Sequence, residues 1–182
     1  MADELIDICD EDNNLTGEQR MKSEAHREGL WHRTAHVWVY NLNGELLLQL
    51  RANDKALHPG KWDVSAAGHV GAGEEPAISA LREMEEEIGI RAEKKALEMA
   101  RILKSKTVFR DIKNNEFIYV YLLKSDISPE RLKLQKEEVQ DARFLPLAQI
   151  EHELRETPER YVSVNISYWF EMIGAIRKKL SR

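Results

Sequence analysis

The stretch from Gly68 to Ile90 constrains this chain more than any other, because it packs a glycine-rich turn, a helix start and a cluster of acids into one short piece. Gly68, Gly71 and Gly73 allow a tight loop whose backbone can approach a ligand. Pro76 suits the first turn of a helix and Gly89 its end, so a helix is expected over 76–88. At about 100° per residue, Ala77, Leu81, Met84 and Ile88 share one side, while Glu83, Glu86 and Glu87 gather on an arc roughly 140° away. Spacings of three and four make those carboxylates neighbours, and each like-charged pair costs a few tenths of a kcal/mol. A cation is therefore expected to compensate. Hard divalent ions select carboxylate oxygens, and Mg²⁺ typically takes one or two of them, with water and substrate phosphate completing the shell. Glu74 and Glu75 are expected as caps at the helix's positive end. A solvated, merely acid-rich surface helix would show the same charge pattern.

Around this segment the chain reads as strands, one helix, strands and then helices. Leu5 to Cys9 reads as a short strand and Asp10 to Gly17 as the turn of a hairpin; residues 18–30 read as a connector or short helical turn. His36 to Tyr40 and Glu45 to Leu50 form the next two strands around a turn at Asn41–Gly44. Trp62 to Val70 is extended, strands follow at 97–109 (with a break) and 116–123, and helices at 147–154 and 161–180. This order predicts a mixed sheet between helices.

The pattern Gly-x5-Glu-x7-Arg-Glu-aliphatic-x-Glu-Glu-x-Gly-aliphatic is the Nudix box, and Gly68, Glu74, Arg82, Glu83, Met84, Glu86, Glu87, Gly89 and Ile90 fill it completely. A chance match in a chain of this size is below about one in a million from ordinary residue frequencies. The chain thus resembles the Nudix hydrolases from about Arg33 to Leu147. The resemblance implies an α/β fold of Nudix type, an α/β/α sandwich with a mixed central sheet and a loop–helix–loop box. It divides the chain into an N-terminal extension, 1–30, and a Nudix domain, 31–182. It implies Mg²⁺, or Mn²⁺ in its place, bound by Glu83, Glu86, Glu87 and a backbone carbonyl near Gly68. Glu86, Glu87, Arg82 and Glu116 are the implied catalytic set, with Arg82 orienting a carboxylate and the general base drawn from a box glutamate, Glu116 or the pair Glu137-Glu138. The implied reaction is cleavage of a phosphoanhydride bond in a nucleoside diphosphate derivative or similar organic diphosphate.

Leu30-Trp31-His32-Arg33, Gly44 to Gln49, Pro59 to Asp63 and Ala66-Ala67-Gly68-His69 are also similar to the type I isopentenyl-diphosphate isomerases and their hydrolase relatives. That likeness implies a second metal site at His26, His32 and His69, with acidic residues near Glu116. The isomerases carry a catalytic cysteine two residues before the histidine that matches His69, and here that position is Ala67. Without the thiol, proton delivery for isomerisation lacks a donor. The complete box points the same way, to hydrolysis. An isomerase-like enzyme and a non-catalytic metabolite-binding module are the alternatives.

The substrate is less legible. No proline stands near Lys104-Ser105-Lys106, where ADP-ribose-cleaving members tend to carry one, and the NADH-cleaving members' phrase is absent. Nucleoside di- or triphosphates lead, nucleotide sugars follow and isoprenoid diphosphates come last. Trp31, Trp38, Trp62, Phe109 and Tyr119 are stacking candidates, Trp38 and Tyr119 being expected in the core; Arg51, Lys55, Lys61 and Arg110 are phosphate-binding candidates. A net charge of −5 with no basic stretch before Arg177-Lys178-Lys179 argues against a polynucleotide partner. The single Cys9 forms no intrachain disulfide, the N-terminus is acidic, and no run of roughly 20 apolar residues occurs, so a cytoplasmic protein not bound in a membrane is expected. The stripe Val164, Trp169, Ile173 and Ile176 is expected to pack on the domain core, with a homodimer contact as its alternative, and the N-terminal strand is the other candidate for pairing across a two-fold axis.

Overall fold

The computed structural model describes residues 3–55, 57–162 and 166–181. Its strands are β1 (Leu5–Cys9), β2 (Leu15–Met21), β3 (Trp31–Tyr40), β4 (Glu45–Arg51), β5 (Trp62–Asp63), β6 (Ala66–His69), β7 (Glu98–Phe109), β8 (Ile112–Lys124) and β9 (Val139–Pro146). The helices are α1 (Lys22–Glu28), α2 (Pro76–Ile88), α3 (Leu147–Glu156) and α4 (Ile166–Leu180).

β3 is the spine of one mixed sheet. One edge runs parallel to β8 over its whole length, from Trp31↔Asn115 to Tyr40↔Lys124. The other edge is shared in turn by three antiparallel strands: β1 meets Trp31 and His32, β6 meets Thr34 to Val37, and β4 meets Tyr40. Alternation along β3 then sorts its side chains between two layers. Ala35, Val37 and Val39 join Ala77, Ala80, Met84 and Ile88 of α2 in one core. Trp38 and Tyr40 join Leu147, Ile150 and Leu154 of α3 and Tyr168, Trp169, Met172, Ile173 and Ile176 of α4 in the other. The result is the α/β/α sandwich that the order of elements predicts.

α3 and α4 cover only the Trp38–Tyr40 end of their face. The earlier residues on that face, Thr34 and His36, line an open cavity of about 660 Å³.

Several local expectations need correction. β3 begins at Trp31, not His36, because β1 and β8 supply partners for its first residues. β8 begins at Ile112 in a two-residue hairpin with β7. The expected break in β7 is a register shift between Met99 and Arg101. The segment 62–70 is two short strands, and 18–30 divides into the end of β2 and α1. β9 was not anticipated: its polar sequence shows no clear alternation, and its pairing with β4 from Glu45↔Pro146 to Arg51↔Val139 makes it a strand. The described part of the C-terminal helix starts at Ile166, and Val164 lies outside the described residues. Trp169, Ile173 and Ile176 are buried in the core, and β2, β7 and β9 each pair with a single strand, so each is an edge of the sheet. Among the described residues, no helix is long and apolar enough to cross a membrane.

Candidate active site

The box helix does not present its glutamates to solvent as a simple acidic face. Glu87 is buried between β4 and β6, where its Oε2 accepts hydrogen bonds from the Ala67 amide (3.0 Å) and Gln49 Nε2 (3.1 Å). Glu83 lies under β6 against Gly68. A Cβ at Gly68 would come 2.0 Å from the Glu83 Cδ, so only glycine leaves room for the carboxyl there. Glu86, one step around the helix, is half-exposed. Burial pushes the Glu83 carboxyl up to about 7 against the pull of Arg82, and Glu87 up to about 8, with the Glu83 charge adding to the effect. Two carboxyls this reluctant to ionise side by side form a site that a divalent cation would relieve.

Arg82 organises this cluster. Its guanidinium donates to Glu83 (2.7 Å), Glu86 (3.3 Å), Glu74 (3.3 Å) and the His69 carbonyl (3.3 Å), and lies 3.6 Å from Glu4. Glu74 also accepts from the Ser79 hydroxyl at 2.6 Å, which with Arg82 holds its carboxyl below the usual range. Glu74 is thus a brace between loop and helix. Glu75 occupies the N-cap position but makes no side-chain cap; it pairs with Lys94. The expectation that both acids cap the helix is corrected: only Glu75 stands at the N-cap, and neither acid bonds the helix's free amides through its side chain.

The N-terminal segment closes over the loop. The Leu5 carbonyl accepts from the Ala72 amide (2.9 Å), Asp7 Oδ2 accepts from the Gly73 amide (2.7 Å), and Ile6 bridges to Gly71.

A second cluster stands beside the first. His26 of α1, His32 of β3 and His69 of β6 place one ring nitrogen each within 4.8 Å of one another. His26 Nε2 and His69 Nε2 are 3.2 Å apart. His32 Nδ1 is 2.9 Å from the Leu30 carbonyl, and its buried Nε2 has no hydrogen-bond partner among the described residues. Burial lowers the pKa of all three, that of His32 to about 4, leaving neutral rings with lone pairs free for a cation. Glu116 is in register with His32 across β3 and β8, and burial raises its carboxyl to about 7.

Both clusters face the one cavity. Gly68, His26, His69, Arg82, Glu83, Glu86, Glu87, Glu116 and Glu138 line it; Glu137 is exposed and stands outside it. Arg51 and Lys55 also line it, paired with Asp63 and Glu138, whereas Lys61 and Arg110 do not. Among the stacking candidates only Phe109 reaches it. Trp31 packs on Phe117 instead, Trp38 is in the core as expected, and Tyr119 is half-buried with its hydroxyl bound by Asn13. Gln49, Asp63 and His36 were missed by sequence reasoning, since each stands singly on a strand and becomes part of a site only through pairing.

The NUDIX domain model matches residues 30–165, well over half of the chain. The chain belongs to the Nudix family. It is 38% identical over 172 residues to "Nudix hydrolase 3" of Arabidopsis thaliana, covering 92% of this chain but only 22% of that longer protein. It is 34% identical over 145 residues to an uncharacterized Nudix hydrolase of Listeria monocytogenes, covering 80% of this chain and 81% of that one. An isopentenyl-diphosphate Delta-isomerase of Serratia proteamaculans is 30% identical over 168 residues, covering 92% of this chain and 88% of the isomerase. A crystal structure from Deinococcus radiodurans superposes with a TM-score of 0.70 at 22% identity, covering 92% and 98% of the two chains, and bears out the Nudix fold.

Proposed function

We propose that this Nudix protein is a Mg²⁺-dependent hydrolase that cleaves a phosphoanhydride bond of an organic diphosphate, with nucleoside diphosphate derivatives as the leading class. The observation that carries this reading is the pair Glu83 and Glu87, buried together beside Gly68, held up to about 7 and 8, and flanked by Glu86 and Arg82. That donor set fits Mg²⁺: hard oxygens, partly desolvated, in a cavity open to water and phosphate. When bound, the ion supplies charge neutralisation at phosphate and a more acidic water. Arg82 holds Glu83 and Glu86 in place; Gln49 and the Ala67 amide fix Glu87. Arg51 and Lys55 stand on the cavity wall as phosphate contacts. Glu116 and Glu138 are the base candidates that the fold brings to the cavity, and Mn²⁺ is an alternative ion.

His26, His32 and His69, with Glu116 beside them, fit a second, softer divalent ion, because the unpartnered His32 Nε2 is a buried acceptor that needs a partner. The likeness to the isomerase raises isomerisation as a second reading. Against it, Ala67 lines the cavity where that family carries its thiol, and the lone Cys9 is buried beside Trp31 and Phe117, away from the cavity lining. We retain 1–30 as an N-terminal extension to a Nudix domain over 31–182, in a cytoplasmic protein.

The test is phosphate or pyrophosphate release with Mg²⁺ from nucleoside di- and triphosphates, nucleotide sugars and isopentenyl diphosphate, for wild type beside Glu86→Gln and Glu87→Gln. Mg²⁺-dependent turnover that drops at least about a hundredfold in a variant is expected. Isomerised product alone, or binding without turnover, would replace this reading.

A further inference from the structure

His36 lines the same cavity as the catalytic carboxylates, yet no metal or phosphate role falls to it. It stands on β3 two residues before Trp38, so both side chains point to the α4 face, and Tyr168 of α4 reaches both. Trp38 Nε1 donates to the Tyr168 hydroxyl at 2.8 Å, and His36 Nδ1 lies 3.1 Å from the same oxygen.

The direction of this relay follows from valence. An indole N–H only donates, so the Tyr168 oxygen must accept from Trp38. The hydroxyl proton then needs an acceptor, and its only other hydrogen-bond neighbour among the described residues is His36 Nδ1. Were Nδ1 to carry a hydrogen instead, the Tyr168 proton would be stranded in a buried site, at a cost of about 1–3 kcal/mol. Nδ1 is therefore the acceptor and the ring hydrogen sits on Nε2. Burial lowers the imidazole's pKa to about 4, which keeps it neutral. Nε2 has no hydrogen-bond partner among the described residues, and the exposed part of the ring belongs to the cavity wall.

We propose that His36 Nε2–H is a fixed, uncharged hydrogen-bond donor for a neutral oxygen, a hydroxyl or carbonyl, in the organic group of the diphosphate substrate. An uncharged donor suits a neutral oxygen better than a phosphate, for which the metal site, Arg51 and Lys55 provide charge. Asp63, whose charge reaches His36 and which accepts from Arg51 (3.1 Å) and the Val64 amide (2.8 Å), disfavours a second anion there. A diphosphate of a pure hydrocarbon would leave this N–H dry and unpaired, so His36 selects for oxygen-bearing groups such as a sugar or a base. Tyr168 is the positioning residue, and it lies beyond the 30–165 segment that matches the family. The inference rests on the hydrolase reading only for the identity of the ligand, not for the state of the ring.

The test is ¹⁵N imidazole NMR on the full Mg²⁺-loaded chain, with the His36 signals assigned by their loss in His36→Gln. At pH 7 a neutral ring with hydrogen on Nε2 is expected, and Tyr168→Phe should convert it to a mixture of tautomers. A charged ring, or hydrogen on Nδ1, overturns the proposal. The Nε2 resonance is then followed while a nucleoside diphosphate or isopentenyl diphosphate is added. It should move with the first and not the second; movement with both, or with neither, overturns the proposal. In turnover, His36→Gln should lower kcat/KM for the oxygen-bearing compound at least about tenfold more than for the hydrocarbon one, mostly through KM. An equal loss on both marks a merely structural role and overturns it. If wild type hydrolyses nothing, the hydrolase reading fails while the NMR still decides the role of His36.

Discussion

Glu87 is a buried carboxyl and Glu83 a largely buried one, and their folded pKa values, about 8 and 7, lie above the 4.5 of the unfolded chain. The metal-free native state keeps protons that the unfolded state has already released, so stability falls as pH rises from about 4.5 toward 8. Burial shifts His32 and His36 down to about 4, and their effect runs the other way, costing stability only as pH falls below 6.5. Between pH 6.5 and 8 the carboxyls therefore act without the histidines opposing them. The melting temperature of the metal-free protein is expected to fall across that window; Mg²⁺ should recover it, most at the alkaline end, and Glu87→Gln should flatten the slope. A rise with pH in scanning calorimetry without metal would contradict this. At Gly68 the clash with an added Cβ falls on the movable Glu83 side chain rather than on backbone. Gly68→Ala should hence leave the melting temperature nearly unchanged while raising the Mg²⁺ needed for half-maximal binding at least about tenfold, as read by titration calorimetry.

Among the elements, β1 acts on the box without belonging to it. Its Asp7 carboxylate fixes the Gly73 amide, and through that loop Glu74 meets Arg82, which in turn holds Glu83 and Glu86. Losing one charge-assisted hydrogen bond at a partly exposed site costs about 1–2 kcal/mol. Asp7→Ala should therefore weaken Mg²⁺ binding roughly five- to thirtyfold with little change in substrate KM, as metal-dependent kinetics would show. The box itself was legible in the sequence because its spacing is local: one helix and its caps bring Glu83, Glu86 and Glu87 together whatever the rest of the chain does. The histidine trio came only through resemblance, since His26, His32 and His69 lie on α1, β3 and β6, which only the pairing of β3 with β6 and the packing of α1 against the sheet bring together. The brace from Asp7 and the relay through Tyr168 were not legible at all, as nothing local marks an acid or a tyrosine whose partner is tens of residues away. β9 escaped for the related reason that its partner β4, not its own composition, makes it a strand.

At the scale of the molecule, two cores flank one sheet, and the cavity opens where α3 and α4 stop covering it. Trp169 anchors that arrangement: it is buried against Trp38 and Tyr161, and its indole N–H bonds the Val162 carbonyl at 3.0 Å. Trp169→Ala should destabilise the fold by about 3–5 kcal/mol and lower the melting temperature by roughly 10 °C, as thermal unfolding would show. If the melting temperature held, α4 would be dispensable to the core. The carboxylates, the histidine trio and the His36 relay meet at the same cavity, and β3 carries His32 and His36 on one face toward it. Every second residue of β3 faces the cavity or the core beside it, so a single inserted or deleted residue would turn His32, Thr34 and His36 toward α2 and bring Ala35 and Val37 out in their place. Substitution at those positions can retune what the protein accepts, but a change of length there cannot be absorbed. A gain or loss of a residue in β3 would have to be taken up at the turns on either side of the strand to keep its cavity face in place.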